Sequence, residues 1–409
     1  MTRPPHQALF ARRFEAVLLA VAFAVAHTQS PLYYSNQNQY LLHGAALGGH
    51  GRLGADWLAN TADPTPVFSV LVAAAFATQP WLLQPAYFAL LMGYFLSVRA
   101  LVAALPWFPD TRASRVGFAA LFTAAHAAIL RWASVELAGV DYPWYFQSGL
   151  AAQYLLGPGI QPSAFGVLLV SALAAFAHGR ATLSCVLAAF SCWFHSTYLL
   201  PAGLLVGGFV FALWREGKGK EGVRGGGVAL GVVAPVVAYT LCRFGPFGQA
   251  AAESIHLLAN VRIPHHCVPA RWFDLIAGLQ LGWVALGLIL LRRAPAGSAL
   301  AVAALGGLLL TLVQLATRSD SLALSFPWRV SVLLVPVATA TVIARLLAWI
   351  PQGRWPELAA FLALVALAAG GAVVTGWGLG YRTVDEAGVY GYVARTHQKD
   401  DVYLIPAGF

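Results

Sequence analysis

Two stretches of this chain concentrate side chains able to move a proton or grip an anion. The first, "YYSNQNQYLLHGAALGGHGRLGADWLANTADPTP" (33–66), carries the carboxylates Asp56 and Asp63 amid His, Asn and Gln. Asp56, in "GADWLANT", suits a general base toward a sugar hydroxyl, or a group that positions a metal or a lipid phosphate. Asp63 precedes a Pro-Thr-Pro turn, so capping the short helix that begins near Pro66 accounts for it equally well. The second stretch, "VRIPHHCVPARW" (261–272), sets His265 and His266 between Arg262 and Arg271. Adjacent residues diverge by about 100° on a helix and face opposite sides of a strand, so the two histidines do not form one chelating pair. Used singly, each serves as a proton shuttle or a phosphate contact beside the arginines; the alternative is a proline-pinned loop whose histidines bond to backbone or water. His195, in "CWFHSTYLLP", and Arg329, in "SFPWRVS", stand near the ends of apolar runs. An ionisable residue at such depth points to function, although helix-to-helix hydrogen bonding by His195, Ser196 and Thr197 competes with that reading. Arg329 either holds a diphosphate or snorkels beside Trp328.

The elements that position these residues are apolar. The chain is 59% hydrophobic and 10% charged over 409 residues, against about 25% charged in soluble proteins. Runs of roughly 17 to 25 apolar residues recur down its length, the mark of an integral membrane protein. Breaks in the runs place candidate helices near 14–34, 86–107, 116–133, 163–178, 181–199, 201–215, 226–243, 272–291, 297–316, 329–349 and 356–378. The expected fold is all-α: a polytopic transmembrane helix bundle of about eleven spans, with residues 1–378 as the helical domain and 379–409 as a tail. The run 67–77 is too short to cross and reads as an interfacial or re-entrant helix within a first loop, 35–85. Clustered basic residues in "WREGKGKEGVRGGG" and "LRRAPAGS" then favour a cytoplasmic N-terminus and an extracytoplasmic C-terminus. That orientation brings 35–66, 134–163, 243–272, 317–329 and the tail to the outer face, while the inner loops are short and basic. Irregular polar loops gathered at one face are where a scaffold carries a site.

The net charge of +9 is scattered through membrane-flanking loops, which fits anionic lipid and topogenesis, and nucleic acid is not an expected partner. The four cysteines lack metal-site spacing. No phosphate-binding loop, dinucleotide fingerprint, zinc-protease motif or serine elbow is present.

This layout resembles the GT-C superfamily of polytopic membrane glycosyltransferases, and more closely some bacterial multi-pass membrane families related to it. The resemblance implies transfer from a polyprenyl-phosphate-linked sugar donor at the extracytoplasmic face of a cell membrane, the inner membrane in a bacterium. It implies an acidic catalytic residue in the first external loop, the role of Asp56 or Asp63, with 67–77 as the membrane-parallel helix. The closing "YVARTHQKDDVYLIPAGF" resembles the start of an external soluble domain, a short helix leading into the strand "VYLIP". A strand at the end of the chain has no partners, so the domain is either dispensed with or cut short in this sequence. "SNQNQY" departs from the pattern by placing amides where many members carry an acid. A divalent metal ion would be a cofactor only if carboxylates or histidines from separate loops converge, for example Asp56 with His265. The alternatives from other classes are a transporter or flippase for a lipid-linked or polar substrate, which needs a polar track beyond Arg99, His126 and Gln314, and a non-catalytic membrane assembly protein.

Overall fold

The computed structural model describes residues 5–27, 29–245, 249–351, 353–381 and 387–398, and every regular element among them is helical. The first helix, α1 (Pro5–Ala26), begins and ends earlier than the apolar window 14–34. Its polar opening turns carry the helix through Arg12 and Glu15, while beyond His27 the left-handed Tyr33 (φ 69°) and Ser35 (φ 54°) make continuation impossible. α2 (Pro66–Thr78) starts with Pro66 in its first turn and stops at an extended Gln79 before Pro80. The helix α3 (Leu83–Ala103) runs back along α1, with Tyr87 against His27 and Phe95 against Phe23. The chain therefore leaves α1 and enters α3 at the same end of the bundle, and α2 between them changes nothing about which end the chain occupies.

α4 (Arg112–Ala124) and α5 (Ala128–Ala138) form one bent rod, kinked by 44° at Ala125–Ala127. The other helices of eleven or more residues among the described residues are α6 (Val167–Ala177), α7 (Ala181–Phe194), α8 (Leu199–Arg215), α9 (Gly219–Phe244), α10 (Leu275–Leu291), α11 (Pro295–Thr317), α12 (Ser331–Leu347) and α13 (Arg354–Trp377). Among the described residues six helical segments, 80–103, 196–215, 219–244, 295–317, 320–347 and 354–377, are long and apolar enough to cross a membrane, and the bent pair brings the count to seven if it is one span. The windows 163–178, 181–199 and 272–291 fold as shorter apolar helices. They are shortened because their ends unwind into the polar chain, at Pro162–Gly166, at His195 and at Asp274.

α12 is the axis of the assembly, buried along nearly its whole length. α1 and α13 meet at Gly371, where a Cβ would run into the Val25 carbonyl oxygen, so only glycine permits that close approach. One end of the bundle is clasped by charge: Arg12 and Arg115 reach Asp110 at 2.7 and 2.9 Å, Arg115 reaches Glu15 at 2.6 Å, and Arg112 reaches Glu357 at 3.3 Å. Two neighbouring guanidinium groups, of Arg12 and Arg115, hold the Asp110 carboxyl below its usual range against the opposing effect of its partial burial.

The other end gathers the long connections, and here the structure departs from the expectation of an external loop at 134–163. Most of residues 147–166 are buried although the segment has little regular structure. Phe146 lies level with Thr339, eight residues down α12 from Ser331, whose hydroxyl meets Leu150. That separation is about 12 Å at 1.5 Å per residue, so the loop dips into the bundle and climbs out beside α12.

Candidate functional site

Irregular backbone inside a membrane bundle survives only if protein satisfies its amides and carbonyls, since hydrocarbon offers no partner. Side chains from several helices do this for 145–163. Gln280 Nε2 donates to the carbonyls of Tyr145 and Ser148 at 3.0 Å each, and Thr339 Oγ1 donates to Phe146 O at 2.7 Å. The Ser331 hydroxyl accepts from Leu150 N at 2.8 Å, while Tyr87, Gln37 and Tyr198 donate to Gly157 O, Ile160 O and Ser163 O at 2.5, 3.0 and 2.5 Å. Ala151 and Ala152 are both left-handed (φ 57° and 54°), a conformation costing an alanine about 1–2 kcal/mol. Such strain persists where the surroundings over-determine it, and sites of ligand contact are where it collects.

Arg329 sits against this buried segment. Its short helix, Pro327–Val330, starts from a left-handed Phe326 (φ 51°), which turns the chain inward before α12. Arg329 is 9% exposed. It donates through Nη2 to His195 Nε2 at 3.2 Å and lies 5.3 Å from the centre of the Tyr198 ring. Its charge also acts on Tyr40 and His266. Among the described residues no carboxylate pairs with it.

The proton count is informative. Arginine only donates, so His195 Nε2 accepts and its proton must be on Nδ1. That Nδ1–H is buried without an acceptor, as is Arg329 Nε–H, and Trp272 Nε1 and Trp328 Nε1 of the neighbouring loop cluster are in the same state. An anion is the kind of partner that buried donors without acceptors and a buried cation have in common. Unpaired acceptors and hydroxyls lie in the same loop layer: Gln37 Oε1, Gln153 Oε1, Ser30 Oγ, Ser163 Oγ and Thr197 Oγ1.

Of the residues singled out in the sequence, Arg329 and His195 bond to each other, His266 bonds to the buried segment beside them, and Asp56, Asp63, His265 and Arg262 make their own local contacts. His266 Nδ1 donates to the strained Ala151 carbonyl at 2.8 Å, leaving Nε2 free. His265 is exposed, its ring 4.2 Å from that of His266. Arg262 is exposed at the end of a π-turn, Leu258–Arg262. Asp56 Oδ1 accepts from the amides of Leu58 and Ala59 at 2.8 and 3.1 Å, and Asp63 Oδ1 accepts from Thr65 N at 2.8 Å. Both carboxylates thus shape turns, and neither forms an ion pair among the described residues. No group of three or more His, Cys, Asp or Glu that could hold a metal exists among the described residues, so Asp56 and His265 do not make the metal site weighed above. The helix expected near the C-terminus is present at Ala387–Thr396, while "VYLIP" (402–406) lies outside the described residues.

Sequence reading missed Tyr40, Gln37, Gln153 and Tyr198. Tyrosines and amides are unremarkable one by one, but four amides and a tyrosine in "NQNQY" followed by glutamines at 153 and 161 were a usable signal.

Burial, and then the neighbouring His265, push the His266 pKa below its ordinary value of 6.5. The unfolded chain therefore takes up a proton first, and stability present above pH 6.5 falls as the pH drops toward the lowered folded value. Thermal unfolding of the purified protein should move to lower temperature between pH 7.5 and 5.5, each about one unit from the ordinary histidine value. His266→Gln should flatten that slope, and an unchanged slope in the variant would assign the pH response elsewhere.

Comparison of the chain with protein-family profiles, with characterised proteins and with solved structures finds no match.

Proposed function

We propose that the protein is a multi-pass membrane glycosyltransferase of the GT-C kind, crossing the membrane eleven times and placing the loop end of the bundle outside the cytoplasm. In this reading it takes a polyprenyl-phosphate-linked sugar, in a bacterium at the inner membrane. The observation that carries it is Arg329, a buried cation with no carboxylate partner and an adjoining set of unsatisfied donors. Phosphate oxygens accept from Arg329 Nε and His195 Nδ1, and the Gln37 and Gln153 carbonyls accept from sugar hydroxyls. Holding the leaving phosphate in a dry, preorganised cradle stabilises the charge that develops as the glycosidic bond breaks. Asp56, whose Oδ1 accepts from the Leu58 and Ala59 amides, takes the acceptor's proton on its other carboxylate oxygen.

Incubation of the purified protein with a panel of polyprenyl-phosphate sugars should release the lipid carrier from at least one. Asp56→Asn retains an oxygen for the Leu58 and Ala59 amides, so the fold should survive while transfer slows by about 100- to 10,000-fold. Normal transfer by that variant would remove Asp56 from the mechanism.

A transporter or flippase for a lipid-linked phosphate is the second reading. It is favoured by the tying of both first-loop carboxylates into turns and by the lack of an acid at Arg329 among the described residues. Binding of polyprenyl phosphate with no turnover of any donor would select it.

A further inference from the structure

At the charged end of the bundle, the α8–α9 hairpin encloses a crevice that neither the loop end nor Arg329 touches. It measures about 360 Å³ and is lined by Gly207, Val210, Phe211, Trp214, Gly219 and Val223. Trp214 and Val223 are 69% and 72% exposed, and only 11% of the apolar stretch of α9 is covered by protein. Apolar surface of this extent at a helix long and apolar enough to cross a membrane faces hydrocarbon.

What distinguishes the crevice is its rim. The hairpin carries Arg215, Lys218, Lys220 and Arg224, all exposed, against Glu216 and Glu221. Lys218 is neutralised by Glu216 at 2.8 Å. Among the described residues the other three cations have no ion-pair partner. An apolar slot running down from three unpaired cations, with an indole at the junction, matches the two halves of an anionic phospholipid. Tryptophan favours such a boundary, and each Lys or Arg near it attracts an anionic headgroup.

We propose that the α8–α9 hairpin is a binding site for an anionic phospholipid, its acyl chain in the crevice and its phosphate among Arg215, Lys220 and Arg224. Charge complementarity selects this occupant over a second copy of the chain, which would have to set the same three cations against one another across a twofold interface.

Native mass spectrometry of the full chain, equilibrated with equal amounts of dioleoyl phosphatidylglycerol and dioleoyl phosphatidylcholine, tests it. Phosphatidylglycerol should be retained about tenfold over phosphatidylcholine, given the strength of basic side chains at membrane surfaces. A Cβ at Gly207 meets nothing within 4 Å, so Gly207→Leu should fold, fill the slot and lose both lipids. The triple variant Arg215→Gln, Lys220→Gln, Arg224→Gln should keep an acyl chain and lose the preference. Equal retention of the two lipids by the unmodified protein overturns the proposal, as does undiminished retention by both variants. A protein dimer that Gly207→Leu dissolves, with no bound lipid, makes the crevice an interface between copies and overturns it too.

Discussion

Replacing Arg329 by methionine should abolish recognition of polyprenyl phosphate while leaving the ligand-free protein as stable as before or more so. The two effects have opposite signs because the residue is a buried charge without a counter-ion. Its burial costs free energy in the empty protein, and a buried cation exchanged for an apolar side chain of similar volume relieves that cost. The phosphate would supply the missing counter-charge, so losing the cation removes charge-assisted contacts worth about 2–5 kcal/mol, or about 30- to several-thousand-fold in affinity. Arg329→Lys should recover part of the loss, since an ammonium restores the charge without the planar fork. Binding of polyprenyl phosphate in detergent and thermal unfolding of the same samples supply both readouts. An affinity within about threefold of the parent, a difference under 1 kcal/mol, would show that the cradle holds no phosphate.

The second large effect is on folding. Gly149 lies against the first turn of α12, where a Cβ would stand 2.5 Å from both the Ser331 hydroxyl oxygen and the Val332 amide nitrogen. The same serine accepts the Leu150 N–H. Gly149→Val must push the loop off α12, breaking that bond and disturbing those to Gln280 and Thr339. Overpacking costs about 1–3 kcal/mol and each buried unsatisfied backbone group about 1–3 more, so folded yield should collapse. Ser331→Ala, which removes the acceptor and leaves the space, should lower stability by only the second of those amounts, about 1–3 kcal/mol. Equal yields for Gly149→Val and the parent would mean the loop is not held where the structure has it.

Hydropathy made the helical content legible, because a 20-residue apolar run has few other ways to fold. It located helix ends poorly. The window 14–34 missed the charged opening turns of α1, which are helical because they run into the ionic clasp through Arg12 and Glu15, a tertiary contact no local signal reports. The candidate site was half legible. His195 and Arg329 stood out as ionisable residues near apolar runs and bond to each other, while His266, singled out between Arg262 and Arg271, bonds to the Ala151 carbonyl. Asp56 and Asp63 stood out as the carboxylates of a polar loop, yet their oxygens serve backbone amides two and three residues onward, a local role that aspartate in a Gly- and Pro-rich loop fulfils readily. The burial of 147–166 was not legible at all. Its partners are side chains up to 193 residues away, and "GPGIQPS" reads as an external loop whenever those partners are unseen.

That segment also imposes an order of assembly. Apart from a few bonds within the segment, such as Gly149 N to Gln153 O, its carbonyls and amides are satisfied by Gln37, α3, Tyr198, α10 and α12, so little that is local rewards its inward path as it is synthesised. Leu150 N and Phe146 O find their bonds only when Ser331 and Thr339 exist, after most of the helices have been laid into the bilayer. Until then the loop has to stay with water. Its entry into the bundle is thus a late, long-range event governed by loop-closure entropy, and Arg329, on the turn that leads into α12, reaches His195 at that same final step.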